Sequence, residues 1–320
     1  MWAAAQTATS EPSGPVDQGL GIRLLEAPQS LKDDPRARRY IIDHIPAGTT
    51  ISRAIEVSNG TDRDITVNLY AAAASISSGD FIPASGHTQN ELSQWTTLDP
   101  PSVSIPKGGR AQAKITIAVP GDATPGERYA VALAELPPAP GQGLVGLASR
   151  VGIRVYLSVG PGGTPPTDFQ LQTFVPVNDA GRPGVSIHSC NTGQRAIDLT
   201  GTLKLDNGPG SISAGPFNST QPSTVAPGQC EDLKILLKPD LPRGPWEATA
   251  TLRSGTHEKQ ATAKITFPGP GHSGKAVKAH EKGAGGVGLL AAAILVVVGG
   301  AAGIVFYRRR RKQTQPAQSA

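Results

Sequence analysis

Val151-Gly152-Ile153-Arg154-Val155-Tyr156-Leu157-Ser158-Val159 is the stretch on which the fold turns. Every odd position is apolar, while Arg154, Tyr156 and Ser158 stand at even ones. A strand sends successive side chains to opposite faces, so a period of two predicts a half-buried β-strand. The same alternation recurs on both sides. Ile65, Val67 and Leu69 alternate with Thr66, Asn68 and Tyr70, and Ile115, Ile117 and Val119 with Lys114, Thr116 and Ala118. Further on, Trp246, Ala248, Ala250 and Leu252 oppose Glu247, Thr249 and Thr251, and Ala261, Ala263, Ile265 and Phe267 form the last such row. Outside the C-terminal region, no stretch sustains a 3.6-residue period over three turns.

Turn residues punctuate these rows. Asn59-Gly60, Pro106-Lys107-Gly108-Gly109, Pro120-Gly121, Asn207-Gly208-Pro209-Gly210 and Pro227-Gly228 lie between alternating runs. Asn-Gly and Pro-Gly pairs supply the backbone angles that reverse a chain. Many short strands with such turns predict an all-β fold of two immunoglobulin-like β-sandwich domains. The breaker-rich Pro161-Gly162-Gly163-Thr164-Pro165-Pro166 is the clearest internal boundary. We therefore expect a disordered N-terminus over 1–17, a first sandwich over 18–160, a linker over 161–166, a second sandwich over 167–268 and a stalk over 269–282.

A different pattern follows. From Gly283 to Tyr307 there are 25 residues without a charge. As a helix they would span about 38 Å, enough to cross a hydrocarbon core of about 30 Å. Leu289, Leu290, Ile294, Leu295, Val296, Val297 and Val298 form its apolar centre, and Arg308, Arg309, Arg310 and Arg311 follow it. Such a cluster is retained on the cytoplasmic side. The expectation is a single C-terminal transmembrane helix over 283–307, a basic cytoplasmic tail over 308–320, and an extracellular body on a single-pass anchor in the cell membrane. Met1-Trp2-Ala3-Ala4-Ala5 has neither a basic n-region nor a full apolar h-region, so an export signal is expected upstream of Met1. No LPxTG-type motif precedes the span.

The tail also explains the net charge of +5. Arg308 to Lys312 contribute five positive charges, and the remaining basic residues balance the 25 acidic ones. No basic face is left for phosphate, so nucleic acid is not an expected partner. Low aromatic content, 4%, with 38 Gly and 29 Pro, suits strands and turns better than a large enzyme core.

Cys190 and Cys230 both fall in the second predicted sandwich. An even number of cysteines in an extracellular domain argues for a disulfide, which in the chain-entropy model would stabilise by about 3–4 kcal/mol. Two free buried thiols are one alternative. A metal site of His188, Cys190 and Cys230 is another, but it lacks a clear fourth ligand.

Catalytic patterns are absent from the sequence: no G-x-S-x-G elbow, no H-E-x-x-H and no Walker loop. Asp43-His44 is the most enzyme-like neighbour pair, yet adjacent strand residues face opposite ways. No cofactor and no catalytic residue are expected. Trp95 stands in a long polar connection from Ser75 to Pro101 and is a candidate binding contact, since an exposed indole stacks on sugars and anchors partners. The competing reading makes it a plug under that connection.

The ordered set Gly21-Ile22-Arg23, Arg39-Tyr40-Ile41-Ile42, Pro46-Ala47-Gly48-Thr49, Ile55-Glu56-Val57-Ser58-Asn59, Val103-Ser104-Ile105-Pro106-Lys107-Gly108, Pro125-Gly126-Glu127-Arg128-Tyr129 and Arg150 to Leu157 resembles the WxL-interacting protein family of Gram-positive bacteria in its actinobacterial form. The resemblance implies a first domain associated with cell wall peptidoglycan and a second that contacts surface or secreted partner proteins. The expected function is thus a membrane-anchored surface binding or scaffold protein. Two alternatives stand beside it. One is an extracytoplasmic hydrolase with a triad assembled from distant residues. The other is an assembly chaperone, which should expose an unpaired apolar edge strand.

Overall fold

The computed structural model describes residues 19–138 and 148–281. Ten strands build the first sandwich: β1 Leu20–Leu24, β2 Ile41–Ile45, β3 Thr50–Asn59, β4 Ile65–Ser77, β5 Asp80–Pro83, β6 Thr96–Asp99, β7 Ser102–Ile105, β8 Arg110–Ala118, β9 Gly126–Leu136 and β10 Ser149–Val159. One sheet has the order β1-β3-β8-β6; the other runs β2-β10-β9-β4-β5, with β7 also beside β4. The odd row of β10 does what its period requires. Ile153, Val155, Leu157 and Val159 are buried, and they pack with Ile55, Val57, Ile115 and Ile117 of the facing sheet. The chain changes sheets between β1 and β2, since β1 pairs with β3 while β2 pairs in parallel with β10.

The second sandwich contains β11 Phe169–Asp179, β12 Arg182–Asn191, β13 Ile197–Asp206, β14 Ala214–Asn218, β15 Ser223–Val225, β16 Cys230–Leu236, β17 Trp246–Ser254, β18 His257–Ile265 and β19 Val277–Lys278. One sheet is ordered β16-β12-β11-β19, and in the other β14, β13, β17 and β18 are successive neighbours, with β15 also on β13. Phe169, Phe174 and Trp246 are fully buried between them. The indole satisfies its one donor by bonding Pro242 O at 2.8 Å. Gly208 lies against its ring, where a Cβ would come within 2.1 Å of a ring carbon, so no larger residue fits. β19 lies in the stretch expected to be a stalk and pairs with β11 instead.

Both sandwiches close one end in the same way. β3 ends in the fully buried Asn59, whose amide donates to Arg63 O, Ile105 O and Pro106 O and whose Oδ1 accepts from Thr61 N. β12 ends in the buried Asn191, whose amide donates to Arg195 O and Val225 O and whose Oδ1 accepts from Gly193 N. A primary amide has two donors and a carbonyl acceptor, so one side chain ties a turn to a neighbouring strand.

Among the described residues no helix is long and apolar enough to cross a membrane. Their apolar side chains alternate along strands and are consumed by the sandwich cores. The expected span 283–307, with Leu289, Leu290, Ile294, Leu295, Val296, Val297 and Val298, and the expected tail with Arg308 to Arg311, lie outside the described residues. The single-pass cell-membrane location expected from the sequence is corrected to that extent: no described helix provides the anchor.

Truncating a fully buried ring removes its transfer energy and leaves a cavity, so Phe174→Ala should lower unfolding free energy by about 3–5 kcal/mol. Chemical denaturation of the full chain measures this; a loss below about 1 kcal/mol would contradict the packing of the second core.

Candidate functional site: an open strand edge beside a polar joint

β10 pairs with β9 along its whole length, Ser149 opposite Leu136 through Val159 opposite Gly126, with no register shift. On its other side β2 reaches only Val155–Val159. Among the described residues, no strand pairs with Ser149–Arg154 on that side, although β1, at the edge of the facing sheet, comes close to β10. The orientation of its backbone groups follows from one bond. Gly160 N donates to Ile45 O at 3.1 Å, on the β2 side. Backbone N–H and C=O groups alternate sides along a strand. Even-numbered residues therefore point toward β2, and above its end Arg150 and Gly152 turn theirs to the open edge. Ser149, Arg150 and Gly152 are exposed, Val151 is half-buried and Ile153 is buried in the core row. Gly152 is required by packing: a Cβ there would sit 2.7 Å from Val131 Cγ2 and 2.9 Å from Leu133 Cδ2.

The even face of β10 is covered farther along. Tyr156 and Ser158 are buried. Tyr156 joins Ile42, Ala72, Phe81, Val131, Leu133 and Ala196 in a third apolar cluster, and Ala196 comes from the second sandwich. Tyr40, Phe81 and Tyr129 surround the Tyr156 ring with centroids 5.3–5.9 Å away. At its polar end, the Tyr156 hydroxyl donates to Asp198 Oδ1 at 3.2 Å, and Thr224 Oγ1 donates to the same oxygen at 2.7 Å. Arg154 Nη1 lies 3.2 Å from that oxygen, and Arg36 Nε donates to Asp198 Oδ2 at 2.8 Å. One buried carboxylate of the second sandwich thus gathers two guanidiniums and a phenol of the first. Burial pulls the Arg36 guanidinium down, but Asp198, Tyr156 and Asp34 outweigh it and hold it above its ordinary value. Burial, with Asp198 close by, pushes the Tyr156 phenol well up.

A second polar strut lies beside the first. Glu127, on β9, accepts from Ala196 N at 2.6 Å and from the Tyr129 hydroxyl at 2.7 Å. Burial raises its carboxyl above the ordinary range against the pull of those bonds and of Arg195 and Arg36. Arg195 is itself lowered, mainly by burial.

The residues singled out in the sequence lie apart. Trp95 closes the short helix α1 Glu91–Gln94, packs half-buried on the first core, and carries the Arg128 guanidinium 5.0 Å above its ring. Asp43 is gripped at both oxygens by Arg53 Nη2, each at 2.7 Å, while His44 lies near Gly160. Cys190 and Cys230 are directly opposite on β12 and β16 and are bonded, with an S–S distance of 2.01 Å. Sequence reasoning missed Asp198, Arg36 and Glu127. The one signal available was Tyr156 and Ser158 on a face that alternation alone leaves to solvent.

No protein-family profile and no curated protein matches the chain. Solved structures similar to it include the E. coli chaperone DraB (14% identity, 76% of this chain, 94% of that one, TM-score 0.40). Others are the Pseudomonas aeruginosa CupB2 chaperone (10%, 72% and 99%, 0.38) and the class 5 fimbriae chaperone CfaA (8%, 78% and 100%, 0.35). These neighbours are chaperones rather than wall scaffolds. The expected function, a membrane-anchored surface scaffold contacting peptidoglycan, is corrected on that finding.

Two measurements probe the joint. Removing one partner of a buried ion pair leaves the others charged and unpaired, so Asp198→Ala should cost about 3–5 kcal/mol in chemical denaturation; a cost under about 1 kcal/mol would show that the cluster is not the tie between the sandwiches. The raised Glu127 carboxyl binds its proton more readily in the folded than in the unfolded chain. Its contribution is fully present below the ordinary value of 4.5 and is lost as pH rises through the raised folded value. Glu127→Gln should therefore flatten the fall in stability as pH rises above 4.5, and an unchanged slope would remove Glu127 as its source.

Proposed function

We propose that the chain is a chaperone-type binding protein that holds an extended segment of a partner polypeptide against the open half of β10. The observation that carries this reading is the edge itself. Arg150 and Gly152 turn backbone donors and acceptors away from β9 with no described strand to receive them. An unpaired ladder is a template for another strand, and main-chain bonds give such additions their affinity while alternate side-chain positions give specificity. Val151 and Ile153 continue the apolar row at this edge. The incoming strand would extend the sheet along the space that β2 leaves free.

Rigidity supports the same reading. A strand edge is useful as a template only if its register is fixed, and β10 is fixed on one side by eleven paired residues of β9 and on its even face by the joint. The similarity to chaperones of solved structure agrees with this use of the fold. The partner would be a polypeptide that presents an unpaired strand, a class that includes secreted or surface subunits before assembly.

Amide hydrogen exchange on the full chain, alone and with a co-purified polypeptide, tests the proposal. Exchange at Arg150 and Gly152 should slow on binding, while Val151 and Ile153, already turned toward β9, should change little. Proline is tolerated where a strand N–H faces outward. Arg150→Pro should therefore leave the fold intact and weaken capture about fivefold to tenfold, the value of one hydrogen bond of about 1–1.4 kcal/mol. A partner that binds without protecting these amides, and binds Arg150→Pro equally well, would overturn the reading.

A further inference from the structure

The outer region of the second sandwich carries four metal-ligating side chains in a rectangle. His188 and Cys190 are two residues apart on β12 and so share a face. Asp232 stands directly opposite His188 on β16, and Cys230 directly opposite Cys190. A ring nitrogen of His188 and the two sulfurs all lie within 4.8 Å of one another. His188 Nδ1 is 2.7 Å from Asp232 Oδ1, and Ser186 Oγ donates to Asp232 Oδ2 at 3.0 Å. Cys190 is buried, whereas Cys230 is exposed, so the pair is open to reagents from one side.

With the sulfurs bonded to each other, neither carries the negative charge a soft cation needs. We infer that this rectangle is a redox-gated zinc site: the disulfide state excludes the ion, and the dithiol state binds Zn2+ through Cys190, Cys230 and His188, with Asp232 orienting the imidazole. The fourth position is left for water or an added ligand. In the opening step a dithiol reductant exchanges with the bond. The reductant becomes a disulfide, and Cys190 and Cys230 take up the two electrons and two protons. Zn2+ then displaces both thiol protons, which leave to solvent.

The chemistry fits the ion. Two thiolates and an imidazole form a donor set that Zn2+ favours. Zn–S bonds near 2.3 Å and Zn–N bonds near 2.0 Å hold tetrahedral ligands roughly 3.5–3.8 Å apart. The two sulfurs therefore part once their bond is opened, while the imidazole closes on them. Paired strands fix the Cα positions, so both adjustments fall to side-chain rotation. With Nδ1 held by Asp232, Nε2 is left to the metal, the carboxylate–histidine–metal arrangement that sets the tautomer and strengthens the ligand.

Co2+ is the probe, because its thiolate complexes absorb in the near ultraviolet and its tetrahedral form in the visible. The full chain should show neither band when oxidised. Treated with a phosphine reductant, it should gain both with one equivalent of Co2+, and Zn2+ should displace them. His188→Ala should weaken binding by at least about 10-fold, and Asp232→Asn by about 10–100-fold while keeping the thiolate band. Near-ultraviolet circular dichroism of the buried Trp246 reports whether the reduced chain stays folded. The inference fails if the reduced chain loses that signal, takes up no Co2+, or binds it equally well after His188→Ala.

Discussion

β2 pairs with only five of the eleven residues of β10, and much of the molecule's design follows from that mismatch. A longer β2 would pair the rest of β10 and leave no open edge. A β2 that was absent would expose the far half of β10, where Tyr156 and Ser158 must be buried. β2 begins only after the chain has changed sheets from β1. The chain needs the stretch from Leu25 to Tyr40 to cross from one sheet to the other, and it enters the second sheet late. That same crossing delivers Arg36 and Tyr40 to the joint.

The joint combines two kinds of interaction with different strengths. Its apolar part, Tyr156 with Phe81, Val131, Leu133 and Ala196, supplies the area. Its polar part supplies geometry, because Asp198 accepts from partners in fixed directions and tolerates no slippage. Buried ion pairs seldom add net stability over apolar packing of the same volume, and their better attested use is in specifying one arrangement. Asp198 serves that purpose: two guanidiniums and two hydroxyls, from the β1–β2 crossing, β10 and β15, converge on one carboxylate.

The fold was legible where burial has one side. The odd row of β10 and the rows around Ile65, Ile115 and Trp246 announce their strands because a core lies on one face and the period is clean. Asn59 was legible as a turn residue, though its burial and its reach to Ile105 and Pro106 depend on contacts distant in sequence. The joint was not legible. Tyr156 and Ser158 read as the solvent face of a strand, since nothing local says that a second domain covers them. Asp198 and Arg36 are separated by 162 residues, and no short-range pattern links them. The open edge was hidden for a related reason: pairing partners are a property of the sheet, and the residues of an unpaired half-strand have the same composition as those of a paired one. The notion of a wall-binding scaffold rested on the order of elements, which related and unrelated sandwiches share.

The cysteine pair shows the limit from the other direction. Counting cysteines gave the pairing expectation and, as a rival, a three-ligand metal site without a fourth group. Register changes that comparison. Once β12 and β16 pair with Cys190 opposite Cys230, Asp232 must stand opposite His188, because an antiparallel ladder moves two residues on one strand for two on the other. The disulfide and the metal set are therefore not competing assignments of the same sulfurs. They are two oxidation states of one rectangle, held by the ladder that both share.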